Sequence, residues 1–247
     1  MAPVTRSRYD VSYSIGPGAM TPAVKMLLIA NTAVFLVQLV LPSLSSWFGL
    51  TPALVVERFW VWQVVTYLFL HADPLHLLFN MLALWMFGVD LERRWGQQAF
   101  LRYYFVCGVG AGLCSVVAAL LPFEFAETLY IIPTVGASGA IYGLLLAYGL
   151  LFPERTIFFF IFPVPARIYV IIAGAFILYK SVMDTSGGTA HFAHLGGMAF
   201  GYAYLTWGRG GPMAELKYRY TKWKMGRLRK KFGVHPGGRG GWNERIH

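Results

Sequence analysis

Charge is what this chain has least of. Only 13% of its 247 residues are Asp, Glu, Lys or Arg, against the ~25% typical of soluble domains. So few charges cannot cover a water-facing surface. With 57% hydrophobic and 17% aromatic residues, the composition excludes an ordinary soluble fold and points to an all-α polytopic membrane protein. Acidic residues are scarce, 11 against 21 Lys and Arg. Asp90 has no carboxylate partner within an apolar run, which argues against paired-carboxylate chemistry inside a membrane. Cysteine is nearly absent. Cys107 and Cys114 are seven residues apart, a helical rise of about 10.5 Å, too far for a disulfide. They read as small packing residues.

What is present is a series of apolar runs, judged against the ~20 residues needed to cross a bilayer. Six are expected, at approximately 22–41, 75–91, 98–121, 137–152, 166–183 and 191–207. The second, fourth and sixth look short. No small-residue cleavage site follows the basic N-terminus, so no cleavable signal is expected. With six spans, all but two of the 21 Lys and Arg fall on the side of the termini; Arg58 and Lys180 are the exceptions. The positive-inside rule then places both termini in the cytoplasm. The expected organisation is a cytoplasmic segment at 1–21, a six-span domain at 22–207 and a basic, Gly-rich tail at 208–247. The tail sequence KYRYTKWKMGRLRKK is read as binding anionic lipid headgroups because it adjoins a membrane span. No nucleic-acid partner is expected.

Polar residues inside spans are costly and are functional candidates. Entering from outside, the second span carries His76 and Asn80, the fourth Ser138, and the sixth His191 and His194. All three spans run in the same direction, so these residues share a depth. Ser138 stands in GASGAIYG, between Gly136 and Gly139. Taken alone, that stretch fits either close helix packing or space cleared around a nucleophile. The shared depth adds what a nucleophile needs: a His base and donors for an oxyanion. His76 and Asn80 share a helix face at i and i+4, and Tyr142 stands at i+4 from Ser138. Gly197 and Gly201 lie on nearly the same face as His194, so they are expected to let the sixth helix approach the fourth. No acidic residue lies at that depth, so a Ser-His dyad is favoured over a triad.

Together GASG, HADPLHLLFN and AHLGGMAFG make the chain resemble the rhomboid family of intramembrane serine proteases, over roughly residues 22–207. The resemblance implies a six-transmembrane-helix rhomboid-like bundle. It implies Ser138 as nucleophile, His194 as base, and an oxyanion hole from the Ser138 N–H, His76 and Asn80. It implies that Tyr142 packs on the catalytic His, that His71 is structural, and that Glu92 and Arg94 in DLERRWG are structural. The substrates implied are transmembrane helices of other proteins, with no cofactor. One position departs from the family pattern: Gln63 follows Trp62 where Arg is usual, which puts some hydrogen bonding of that loop in question.

Other classes fit less well. His191 and His194 lack the Glu and the third ligand of a zinc protease, so no metal is expected. Ala140 breaks the G-x-S-x-G elbow of soluble hydrolases. No internal repeat suggests a transporter. The alternative retained is a catalytically silent rhomboid-like protein that binds membrane clients, although such proteins typically lack the Ser or the His. The compact six-span form suggests a prokaryotic plasma membrane.

Overall fold

The computed structural model describes residues 17–122, 124–159, 162–183 and 189–208. The basic tail, most of the N-terminal segment and Asp184 lie outside the described residues. The chain divides into two compact units, Met1–Tyr204 and Leu205–His247. The candidate site lies in the first.

In chain order the elements are α1 (Pro22–Val40), α2 (Leu44–Phe48), α3 (Pro52–Arg58), α4 (Gln63–Thr66), a 3-10 turn (Tyr67–Phe69), α5 (Pro74–Trp95), α6 (Gln97–Ala118), α7 (Glu124–Ile131), α8 (Ser138–Leu151), β1 (Thr156–Phe159), β2 (Phe162–Pro165), α9 (Ala166–Met183) and α10 (Thr189–Gly208). Each expected apolar run corresponds to one helix, and the fold is mostly helical. Helices α1, α5 and α6 are long and apolar enough to cross a membrane. The expectation of short second and sixth helices is corrected, because α5 has 22 residues and α10 has 20. In α5 the helix continues through Asp90, Glu92, Arg93 and Arg94, charges that end the apolar run without ending the helix. At 14 residues, α8 is short, about 21 Å against a ~30 Å hydrocarbon core.

The short helix is the central one. Helix α8 packs against α5, α6 and α9, and it buries residues on every side, among them Ala140, Ile141, Leu144, Leu145 and Tyr148. A helix apolar all round belongs in the interior. Small residues set its distance to its neighbours. A Cβ on Gly143 would stand 2.4 Å from Cys107 Sγ, and one on Gly197 would stand 1.9 Å from the Gly139 carbonyl oxygen. Helix α10 therefore touches α8 nearly backbone to backbone, and α6 seats its Cys107 side chain against the α8 backbone.

Two polar clasps tie the helix ends. Buried Glu92 accepts from the Thr21 hydroxyl and from the backbone N–H groups of Ala23 and Val24, at 2.9 and 3.0 Å for the latter two. A side chain of α5 thus satisfies the free donors that open α1. Asp90 pairs with Arg155 at 2.9 Å, joining α5 to the segment that leads into the β1–β2 hairpin. That hairpin, an antiparallel pair with Thr156 opposite Pro165, had no signal among the apolar runs.

The connection from α1 to α5 answers the question raised by Gln63. Its buried side chain accepts from Thr51 N–H at 3.1 Å and donates to the Trp47 carbonyl at 3.2 Å. Trp62 Nε1 donates to the same carbonyl at 3.1 Å. Glutamine thus ties the start of α4 back to α2 and to the residue that precedes α3. The loop in turn holds the approach to α8: Leu50 and Thr134 exchange backbone hydrogen bonds of 2.9 Å, and Gly136 N–H donates to the Tyr67 carbonyl at 2.9 Å.

Candidate active site

Ser138 is the first residue of α8, preceded by Ala137 at the cap position. Its N–H belongs to the first turn, where helix donors lack intrahelical partners and the helix dipole favours negative charge. Gly136 approaches with φ +124°, a conformation that side chains with a Cβ rarely adopt. A Cβ there would also stand 2.8 Å from His76 Cε1 and 2.9 Å from His76 Nε2, and 3.8 Å from Ser138 Oγ. The glycine is what lets an imidazole from α5 reach the serine's side of the cavity.

His194, on α10, places Nε2 2.7 Å from Ser138 Oγ, within direct proton-transfer distance. Its ring lies 4.3 Å from the Tyr142 ring, centroid to centroid, at an interplanar angle of 36°. Tyr142, one turn on from Ser138, therefore supports the imidazole from the same helix that presents the hydroxyl.

Asn80 is buried on α5 and donates one amide proton to the His76 carbonyl at 2.8 Å. Its amide group has a second proton to offer. Ser138, His194, Tyr142, His76 and Asn80 all line one cavity of about 440 Å³. The rest of its lining is mainly apolar, including Phe87 and Leu145. Polar groups gathered in an otherwise apolar pocket are the usual form of a binding site.

The glycines have separate tasks. Gly139 makes room for Ala111, whose Cβ would stand 2.5 Å from an added Cβ, and Gly197 brings α10 onto α8. Gly201 does not serve the α8 contact expected of it. A Cβ there would stand 2.5 Å from the Tyr103 hydroxyl and 3.2 Å from Cys107 Sγ, so it seats α10 on α6. Gly196 also seats α10 on α6, since a Cβ there would stand 2.6 Å from Cys114 Cβ.

His71 is fully buried, and its ring packs edge-on against His76 with centroids 5.1 Å apart. Neither ring nitrogen makes a hydrogen bond of normal geometry. Burial, reinforced by His76, pushes its pKa down to about 4. His191 lies 6.4 Å from His194, ring to ring. Among the described residues, no three His, Cys, Asp or Glu side chains gather as metal ligands.

Spacing rules did not single out Tyr67, Gln38 or Ala72, all of which hold the site in place. Tyr67 fixes Gly136 through its carbonyl and donates its hydroxyl to the Gly108 carbonyl at 2.7 Å. No local pattern links residues so far apart in sequence.

Comparison with known proteins gives the geometry a context. The Rhomboid domain family matches residues 58–209, more than half of the chain. Rhomboid protein 1, mitochondrial, of Saccharomyces cerevisiae is 36% identical over 143 residues, covering 55% of this chain and 38% of that protein. Rhomboid protease GluP of Bacillus subtilis is 33% identical over 152 residues, covering 61% and 26%. The presenilin-associated rhomboid-like protein, mitochondrial, of Homo sapiens is 31% identical over 146 residues, covering 57% and 36%. The chain spans less than half the length of these curated relatives. Mitochondrial proteins stand beside a bacterial one, which gives no support to a prokaryotic plasma membrane over other membranes.

Proposed function

Because the chain belongs to the rhomboid family, we propose that it is an intramembrane serine protease acting on transmembrane helices of other proteins. The observation that carries this reading is the 2.7 Å approach of His194 Nε2 to Ser138 Oγ, inside a cavity that also holds donors. A relative named as a protease supports it.

The steps follow from the positions of the groups. A substrate helix unwinds locally, since a helical peptide bond is shielded from attack. His194 Nε2 takes the Ser138 proton as Oγ attacks the scissile carbonyl carbon. The oxyanion that forms is held by the Ser138 N–H, His76 Nε2 and the free amide proton of Asn80. His194 then gives its proton to the leaving amine, the C–N bond breaks, and the acyl group remains on Ser138. Water, activated by His194, releases the carboxylate. The low polarity of the cavity strengthens each of these interactions.

The proposed setting is a membrane with both termini on the cytoplasmic side, the basic tail lying on anionic headgroups. The reading is tested by reconstituting the purified chain in liposomes with a labelled single-span substrate carrying small and helix-breaking residues near the outer surface. Cleavage by the wild type, lost in both Ser138→Ala and His194→Ala, is the expected result. Substrate binding without cleavage by a folded wild type would contradict it and favour a client-binding role.

A further inference from the structure

The turn that leads into α5 is wrapped around His76. Ala72 N–H donates to His76 Nδ1 at 3.3 Å, and Asp73 Oδ1 accepts from the His76 backbone N–H at 2.8 Å. The first bond has a chemical consequence. A ring nitrogen that accepts from a backbone N–H carries no proton, so neutral His76 holds its one ring proton on Nε2. Nε2 borders Gly136, on the side of Ser138. His76 therefore presents a donor there and not an acceptor, which is what an oxyanion requires.

Ala72 precedes α5 and lies outside its backbone hydrogen bonding. The clamp comes from α1. Gln38 Nε2 donates to the His71 carbonyl at 2.9 Å, and His71 N–H donates to Gln38 Oε1 at 3.1 Å. The same Nε2 donates to Ser45 Oγ at 2.9 Å, which uses both amide protons. The His71 carbonyl and Ala72 N–H belong to one planar peptide unit and point in opposite directions. Holding the carbonyl from the α1 side therefore turns the N–H toward His76.

We propose that Gln38 is a positioning residue for the reaction: by orienting the His71–Ala72 peptide, it sets the tautomer of His76 and hence the donor offered beside Ser138. The proposal rests on the protease reading for its functional meaning, but its signature is measurable without turnover. Gln38→Met keeps the length and removes both hydrogen-bonding groups. Gln38→Glu keeps the acceptor for His71 N–H and, when ionised, loses the donor to the carbonyl.

The experiment is 15N NMR of histidine-labelled protein, with His76→Ala assigning the signal, combined with kcat and KM on the single-span substrate. The wild type is expected to show His76 protonated at Nε2. Gln38→Met is expected to mix the two tautomers and to lower kcat about 10-fold, part of the 10²–10³ carried by one oxyanion donor. KM is expected to stay within about twofold, as for a loss confined to the transition state. In a His76→Ala background, Gln38→Met should cost nothing more in kcat. An unchanged His76 tautomer in Gln38→Met overturns the proposal, as does an undiminished kcat loss in the His76→Ala background. Gln38→Glu provides the same readouts if Gln38→Met does not fold. If the wild type neither cleaves nor labels with a fluorophosphonate, it is the protease reading that fails, and the tautomer comparison still decides the role of Gln38.

Discussion

Ser138 and His194 could be singled out from sequence because the proposed chemistry asks for residue types that are rare within apolar runs. A hydroxyl between glycines and an imidazole at the same depth stand out against a background of Leu, Ala and Phe. Their supports do not stand out. Tyr67 and Ala72 hold Gly136 and His76 through backbone groups, which leave no mark on residue identity, and the Gln38 side chain acts on the backbone of His71, too distant in sequence for a local pattern to link them. Asn80 was legible as a polar residue on the His76 face, but its hydrogen bond to the His76 carbonyl needs coordinates. Replacing Asn80 with Ala should slow turnover about 10²–10³-fold, the usual cost of one oxyanion donor; an unchanged kcat would remove Asn80 from the site. Gly136→Ala should be damaging for two reasons, its φ of +124° and the imidazole 2.8 Å from the new Cβ. Backbone strain of this kind costs about 1–3 kcal/mol. Thermal melts should show that loss, and labelling of Ser138 should fall with it because His76 must move.

Helices α8 and α10 carry the proposed reacting pair, and what holds them together is the absence of side chains. The Gly197 approach to Gly139 leaves no space for a methyl group. Gly197→Ala should separate the two helices and lengthen the Ser138–His194 contact, at about 1–3 kcal/mol of overpacking. Activity should fall much further than the melting temperature, because a small misplacement of catalytic groups is costly. Equal activity in the variant would show that α10 is not held there. Glu92 acts at the other end of the molecule, closing the first turn of α1. Glu92→Ala should lower stability by about 1–3 kcal/mol and leave kcat of the folded fraction nearly unchanged, as denaturation and kinetics together would show. The six helices that match the expected apolar runs were legible because each has such a run. Their ends were not, since α5 runs on through charged residues. Helices α2, α3, α4 and α7 and the β1–β2 hairpin are too short for periodicity to declare them. Tertiary contacts fix them instead, and the Leu50–Thr134 bridge ties the α2–α3 turn to the segment after α7.

Over the molecule as a whole, charge asymmetry spoke for orientation, and composition spoke for the membrane. Neither could reveal that the short α8 is surrounded by its neighbours, because that is a property of packing. Stability should also depend on pH through His71. Its folded pKa is about 4, below the ordinary ~6.5, so the folded state binds fewer protons than the unfolded state in the interval between. This contribution is complete above about pH 6.5 and is lost as pH falls toward 4. Denaturation midpoints measured between pH 7 and 4 should fall, and His71→Phe should flatten that fall; an identical slope in the variant would contradict it. The central claim is that His194 activates Ser138, and its most direct test needs no substrate. Purified wild type, Ser138→Ala and His194→Ala are treated in detergent with a fluorescent fluorophosphonate. Labelling of the wild type alone is the predicted result. Equal labelling of His194→Ala, or none of a well-folded wild type, would contradict the account.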